Sequence, residues 1–217
     1  MNSDRRTYTS ALRAEQSART RAAVITAARG LFLEEGGYAR TSLSALAAAA
    51  GVSVQTIYNT FGSKAGLLKA VFDTTLAGDD DPIPMGERPL FQAMERERDP
   101  SALLHHYARI GATLMKRMGP LLARVREGAA AGDPDLAALV ETSGRERLVG
   151  ATQVVASVRA LSPLRRGLSA ERARDIVWTH TSYELWDLLV LQRGWSAKAY
   201  ADYLGSSMSR ALLDQEG

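Results

Sequence analysis

The run Thr41-Ser-Leu-Ser-Ala-Leu-Ala-Ala-Ala-Ala-Gly51-Val-Ser-Val-Gln-Thr-Ile-Tyr-Asn-Thr-Phe61 constrains the fold of this chain more than any other stretch. Thr41 or Ser42 can cap a helix that runs through Ala50, its hydroxyl accepting from a first-turn backbone N–H. Leu43, Leu46, Ala47 and Ala50 recur at helical spacing, so one face of that helix points inward. Gly51 tolerates the left-handed backbone that stops a helix sharply. Val52 then plugs the angle, and Ser53 caps a second helix from Val54 to about Phe61. Two short helices joined by a tight turn are the form of a helix-turn-helix DNA reader.

On the second helix Ile57 and Phe61 lie four apart and are expected to face the core. Gln55, Thr56, Tyr58, Asn59 and Thr60 are then left for the remaining surface. A merely solvated face usually carries Glu and Lys, which are better helix formers than Thr, Asn or Tyr. Hydrogen-bonding side chains that do not favour the helix fit contacts to base edges and phosphates instead.

The flanks extend this into a module. Ala22, Ile25, Ala28, Leu31 and Phe32 form a helical stripe ended by Gly36-Gly37. After the turn Gly62-Ser63-Lys64 breaks and restarts the chain, and Leu67, Leu68, Val71 and Phe72 line another apolar face. Three helices around Phe32, Leu46, Ile57 and Phe61, followed by a fourth, make a compact unit.

These residues resemble the tetracycline-repressor (TetR) family of bacterial transcriptional regulators. The likeness runs through Val24-Ile-Thr-Ala-Ala-Arg-Gly-Leu-Phe32, Gly37-Tyr38-Ala-Arg-Thr41-Ser42-Leu43 and Ala50-Gly-Val-Ser-Val-Gln-Thr-Ile-Tyr58-Asn-Thr-Phe61-Gly-Ser-Lys64-Ala-Gly-Leu-Leu68, with order and spacing held. Ser44 stands where the family often has arginine, Ala45 where it often has an acidic residue, and Gly66 where alanine or glutamate is usual. The reading helix, opening at Val54, is expected to enter the major groove. Gln55 and Asn59 are the candidates for base edges, Thr56 and Thr60 for thymine methyls or phosphate. Tyr58 and Lys64 are expected on phosphates, with Ser42 and Ser44 doing likewise from the preceding helix.

The chain has 217 residues and 46% hydrophobic content, ample for a packed core. Its net charge of +3 is uneven: residues 1–76 hold nine Lys/Arg against five Asp/Glu, or +4, and the remainder eighteen against nineteen, or −1. The positive excess sits with the turn motif, as phosphate contact favours. No cysteine, no apolar run of membrane-spanning length and no secretory signal are evident, which suits a cytoplasmic protein.

The chain divides into a flexible basic arm (1–16), a helix-turn-helix DNA-binding domain (17–76) and a helical ligand-binding and dimerisation domain (77–217). Gly78-Asp-Asp-Asp-Pro-Ile-Pro-Met-Gly86 marks the break. Beyond it helices are expected over about 88–97, 101–118, 119–131, 134–161, 170–193 and 196–213. No strand pattern and no internal repeat interrupts them, so the fold is all-α, a three-helix reader plus a larger helical domain. Val177, Leu189, Tyr200, Leu204, Met208 and Ala211 lie on the last two long stretches, and Ala201, Gly205 and Ser206 are small enough for close approach. Two such helices from each subunit would pair as a four-helix bundle, giving a homodimer that reads a palindrome.

No catalytic constellation is present. His105 and His106 are neighbours that diverge by about 100° on a helix, His180 stands alone, and without cysteine no metal-ligand set forms; neither metal nor other cofactor is implied. Phosphate loops and nucleophile elbows are missing. The family resemblance does imply a small-molecule effector held among the C-terminal helices. Candidate lining residues are His106, Tyr107, Met115, Met118, Trp178, Thr181, Tyr183 and Trp186, each equally readable as core. Glu184 selects a cationic ligand or faces solvent. The function expected is a ligand-responsive regulator, a repressor on a palindromic duplex operator, with no membrane partner. The rival is a helical small-molecule-binding protein or enzyme that keeps the turn only as scaffold.

Overall fold

The computed structural model describes residues 2–34 and 36–214, with side chains described at Leu12 and from residue 14 onward. Among these residues every regular element is helical. The chain clusters into two compact units, Met1–Asp80 with Ala123–Ala137, and Asp81–Leu122 with Ala138–Gly217.

The first unit is built from α1 (Asn2–Leu33), α2 (Gly37–Arg40), α3 (Leu43–Ala50), α4 (Val54–Phe61) and α5 (Lys64–Ala77). Helix α1 packs on α3 and α5, α3 on α4, and α4 on α5. Val24, Ala28, Phe32, Leu46, Ile57, Leu67 and Val71 are almost wholly enclosed. Gly51 ends α3 with φ +67°, a left-handed conformation that side chains resist. Gly66 works by size: a Cβ there would lie 2.2 Å or less from a backbone atom, since the Phe61 carbonyl oxygen is 2.1 Å away. The α4–α5 junction therefore closes more tightly than the alanine or glutamate common in related sequences would allow.

The flexible arm expected over 1–16 is not what the described residues show, because α1 is continuous from Asn2. Residues 2–29 contain neither Pro nor Gly, so the helix nucleated by the packed turns has nothing to stop it propagating backward. Met1 lies outside the described residues.

The second unit contains α6 (Pro89–Glu95), most of α7 (Pro100–Ala130) and α8 (Pro134–Leu161), then α9 (Ala170–His180), α10 (Tyr183–Trp186) and α11 (Ala197–Leu212). Its core gathers Leu104, Ile110, Val158, Val177, Leu204 and Met208.

Two elements differ from the sequence expectation. Gly119-Pro120 was read as a helix start, but α7 runs through Pro120 without ending. A proline inside a helix removes one hydrogen bond, a cost of about 3 kcal/mol. Met118 and Leu121 on either side are 2% and 1% exposed, and their burial holds the helix in one register. Conversely, the single helix expected over 170–193 breaks at Thr181-Ser182. The Thr181 hydroxyl donates back to the Val177 carbonyl (3.2 Å), and the Ser182 hydroxyl accepts from the Leu185 N–H (3.4 Å), starting α10. A π-helical stretch, Asp187–Gln192, follows.

Among the described residues no helix is long and apolar enough to cross a membrane, and no group of His, Cys, Asp or Glu is placed to hold a metal ion.

Candidate nucleic-acid interface

Three serine caps fix the reading apparatus. Ser42 accepts from the Ala45 N–H (3.1 Å), Ser53 from the Thr56 N–H (3.0 Å) and Ser63 from the Gly66 N–H (2.9 Å), so α3, α4 and α5 each start where the chain is already turned. Ile57, 0% exposed, pins α4 from below. Phe61, expected beside it in the core, is only half-buried; the Arg21 guanidinium covers its ring at 5.1 Å from the centroid. Arg21 is itself held by Asp80 through bonds of 2.7 and 3.2 Å.

Anchored in this way, α4 turns Gln55, Tyr58 and Asn59 outward, Tyr58 being 47% exposed. The Gln55 amide donates to Asn59 Oδ1 at 2.8 Å, one turn along, joining the two candidates for base contact into one planar polar surface. The Gln55 carbonyl oxygen and the Asn59 amide hydrogens are not used in that bond, so a purine edge can be met by both a donor and an acceptor. Thr56 and Thr60 are half-buried and differently disposed. The Thr60 hydroxyl donates to the Thr56 carbonyl (2.8 Å), and the Thr56 hydroxyl pairs with Ser53 Oγ (2.8 Å). Their methyl groups are better suited than their hydroxyls to an outside contact. Ser42 and Ser44 are exposed on α3, and Val54 is half-buried at the first turn of α4.

Lys64 is engaged within the unit. Its ammonium lies 4.1 Å from the Tyr38 ring centroid and donates to the Tyr38 carbonyl. Burial lowers its pKa, opposed by the charges of Asp133 and Asp135. Tyr38 packs edge-on against Phe32 at 5.2 Å and donates its hydroxyl to Asp135 Oδ2 at 2.6 Å. Burial, then that bond and its charge, push the phenol far above its ordinary range. Asp133 in turn caps α8, accepting from the N–H groups of Asp135 (3.0 Å) and Leu136 (3.1 Å). Sequence reasoning gave Tyr38 no role, and the pairing with Asp135 spans 97 positions, which no local pattern reveals.

With this geometry in place, residues 24–71 match the model for bacterial regulatory proteins of the tetR family. The matched segment is a tetR-family domain. No match is found among curated proteins. Solved structures share the fold over nearly the whole chain. NalD, the secondary repressor of the MexAB-OprM multidrug efflux pump in Pseudomonas aeruginosa, is 23% identical with a TM-score of 0.64, covering 93% of this chain and 100% of its own. SmeT of Stenotrophomonas maltophilia, in complex with triclosan, is 18% identical with a TM-score of 0.67 over 90% of this chain and 92% of its own. The fatty acid degradation regulator FadR from Bacillus halodurans is 17% identical with a TM-score of 0.66 over 88% and 98%.

Outside the tetR-family domain, the expected pairing residues need correction. Val177, Tyr200, Leu204 and Met208 are each 0% exposed within their own protomer, because α11 packs on α9 and spends that stripe on the core. Gly205 is likewise used internally: a Cβ there would lie 2.5 Å from the His105 ring. Leu189 and Ala211 are half-buried. Exposed apolar surface lies instead at Leu188 (50%), Leu191 (55%), Trp195 (37%) and Tyr203 (40%), with the last two rings edge-on at 5.6 Å. Of the expected effector-lining residues, Tyr107, Met118, Thr181 and Trp186 are buried and His106, Met115, Trp178 and Tyr183 half-buried, all in the second unit. His106 Nδ1 faces Glu97 Oε1 at 3.4 Å. Glu184 is exposed, as its solvent-facing reading required.

Proposed function

We propose that this chain is a ligand-responsive transcriptional regulator that binds a palindromic operator as a homodimer and acts as a repressor released by a small-molecule effector. The observation that carries the reading is the Gln55–Asn59 surface, linked at 2.8 Å and held outward by Ile57 inside a tetR-family domain. The DNA-binding role belongs to residues 17–76 and the effector and pairing roles to residues 77–217. Two similar folds support the regulatory part: NalD and SmeT are repressors of efflux pumps, and SmeT binds triclosan. The pairing face is the exposed strip Leu188, Leu191, Trp195 and Tyr203 rather than the α11 stripe. In the dimer the two α4 helices sit one duplex turn apart, about 34–36 Å, as symmetric readers require.

An effector that binds better to a conformation with the readers wrongly spaced lowers operator affinity by its differential affinity for that conformation. An electrophoretic shift with DNA flanking the protein's own coding region tests the reading. A discrete, sequence-dependent complex supports it; the absence of any shift across that region with folded dimer contradicts it.

A further inference from the structure

The core of the second unit holds one polar island. Tyr200 is 0% exposed, and among the described residues its hydroxyl has no hydrogen-bond partner. Its ring packs edge-on against Trp186 at 5.2 Å. Tyr107, 8% exposed, interacts through its hydroxyl with Thr181. Arg147 is half-buried, its guanidinium 4.7 Å from the centroid of the Trp178 ring, and the Trp178 indole donates to the Gly144 carbonyl at 3.2 Å. The Arg147 charge acts on both Tyr107 and Tyr200, in each case opposing the upward push of burial. Among the described residues no carboxylate acts on either phenol.

A phenol taken out of water without a partner is unfavourable, so the Tyr200 hydroxyl points to a group not present in the bare chain. A cation and phenolic donors share a region where water screens little, and the complement of that set is an anion with acceptor oxygens. The exposed position of Glu184 removes the acidic residue that would have favoured a cation. The rings of Trp178, Trp186 and Tyr200 add flat apolar faces around the same point.

We infer that Arg147, seconded by the Tyr200 hydroxyl, makes the effector site selective for anions, and that the effector is an amphiphile with a carboxylate or similar oxyanion on an aromatic or aliphatic body. This rests on the reading that the second unit binds an effector. The guanidinium attracts and orients the oxyanion, Tyr200 donates to it, and the indole rings cover the apolar remainder.

The test is calorimetric titration of the full-length protein with three probes sharing one skeleton: 3-phenylpropionate, 3-phenylpropanol and 3-phenylpropylammonium. The carboxylate is expected to bind roughly tenfold or more tightly than the alcohol, with the ammonium weakest, since hydrogen bonds to an ionised acceptor are the stronger ones. Arg147→Met keeps the length and apolar bulk of the stem and should abolish the preference, whereas Arg147→Lys should keep most of it. Tyr200→Phe, which removes only the hydroxyl, should weaken carboxylate binding without affecting the alcohol. Equal affinity for all three probes, preference for the ammonium, or no saturable binding of any overturns the inference. If Arg147→Met does not fold, the wild-type ranking and Tyr200→Phe decide the matter. Operator affinity measured without probes reports separately on the regulator reading: it stays intact if only the anion selectivity fails, and is lost if the regulator reading itself fails.

Discussion

At Gln55 and Asn59 the hydrogen bond between the two amides does two things at once. It removes rotamer freedom before any duplex arrives, and it sets which atoms remain to meet a base. Asn59→Ala should cost about 1–3 kcal/mol of discrimination at one operator position while leaving binding to unrelated DNA little changed. Affinities for a set of operators substituted one base pair at a time check this; an unchanged preference at every position would remove Asn59 from base reading. The buried phenols make a second residue-scale prediction. Tyr38, Tyr107 and Tyr200 are all raised above the ordinary tyrosine value, burial being the first cause in each. The folded state therefore holds these protons after the unfolded chain has released them. Their contribution is complete below about pH 10, the unfolded phenol's value, and declines as pH rises beyond it. Thermal melts across that range should show Tm falling above about pH 10, with Tyr38→Phe flattening part of the slope. A Tm independent of pH there would contradict the assignment.

Among the elements, α3, α4 and α5 were legible because each begins at a serine that caps it, and because glycine ends α3. The same cap logic placed α11 behind Ser196. It failed at Thr181-Ser182, where apolar spacing continues on both sides and a capping serine looks like any mid-helix serine. It failed in the opposite sense at Pro120, where a residue that usually starts helices is carried through one by the burial of Met118 and Leu121. The pairing surface was misread for a related reason. Periodicity shows that α11 has an apolar stripe but not which neighbour covers it, and α9 of the same protomer does. Relief of the exposed strip around Leu188 and Leu191 then becomes the element-scale prediction. Leu188→Glu with Leu191→Glu should leave a folded monomer in analytical ultracentrifugation, with operator binding weakened because one reader alone forgoes the second half-site. A dimer of unchanged stability would move the interface elsewhere.

For the whole molecule, the sequence carried the all-α class and the reading helix, since both depend on local spacing and capping. The Tyr38–Asp135 bond and the Arg147 cluster join distant segments, so only the folded chain reveals them. Phosphate contact by a domain with positive excess implies that salt weakens the complex through counterion release. The most direct test is fluorescence anisotropy of the purified protein on a duplex from beside its own coding region, against a scrambled duplex, over a series of salt concentrations. The account predicts tighter binding to the first duplex, a steep loss of affinity with added salt, and collapse of the difference between duplexes in the Gln55→Ala, Asn59→Ala double variant. Equal affinity for both duplexes, or a double variant that discriminates as well as the wild type, would contradict it.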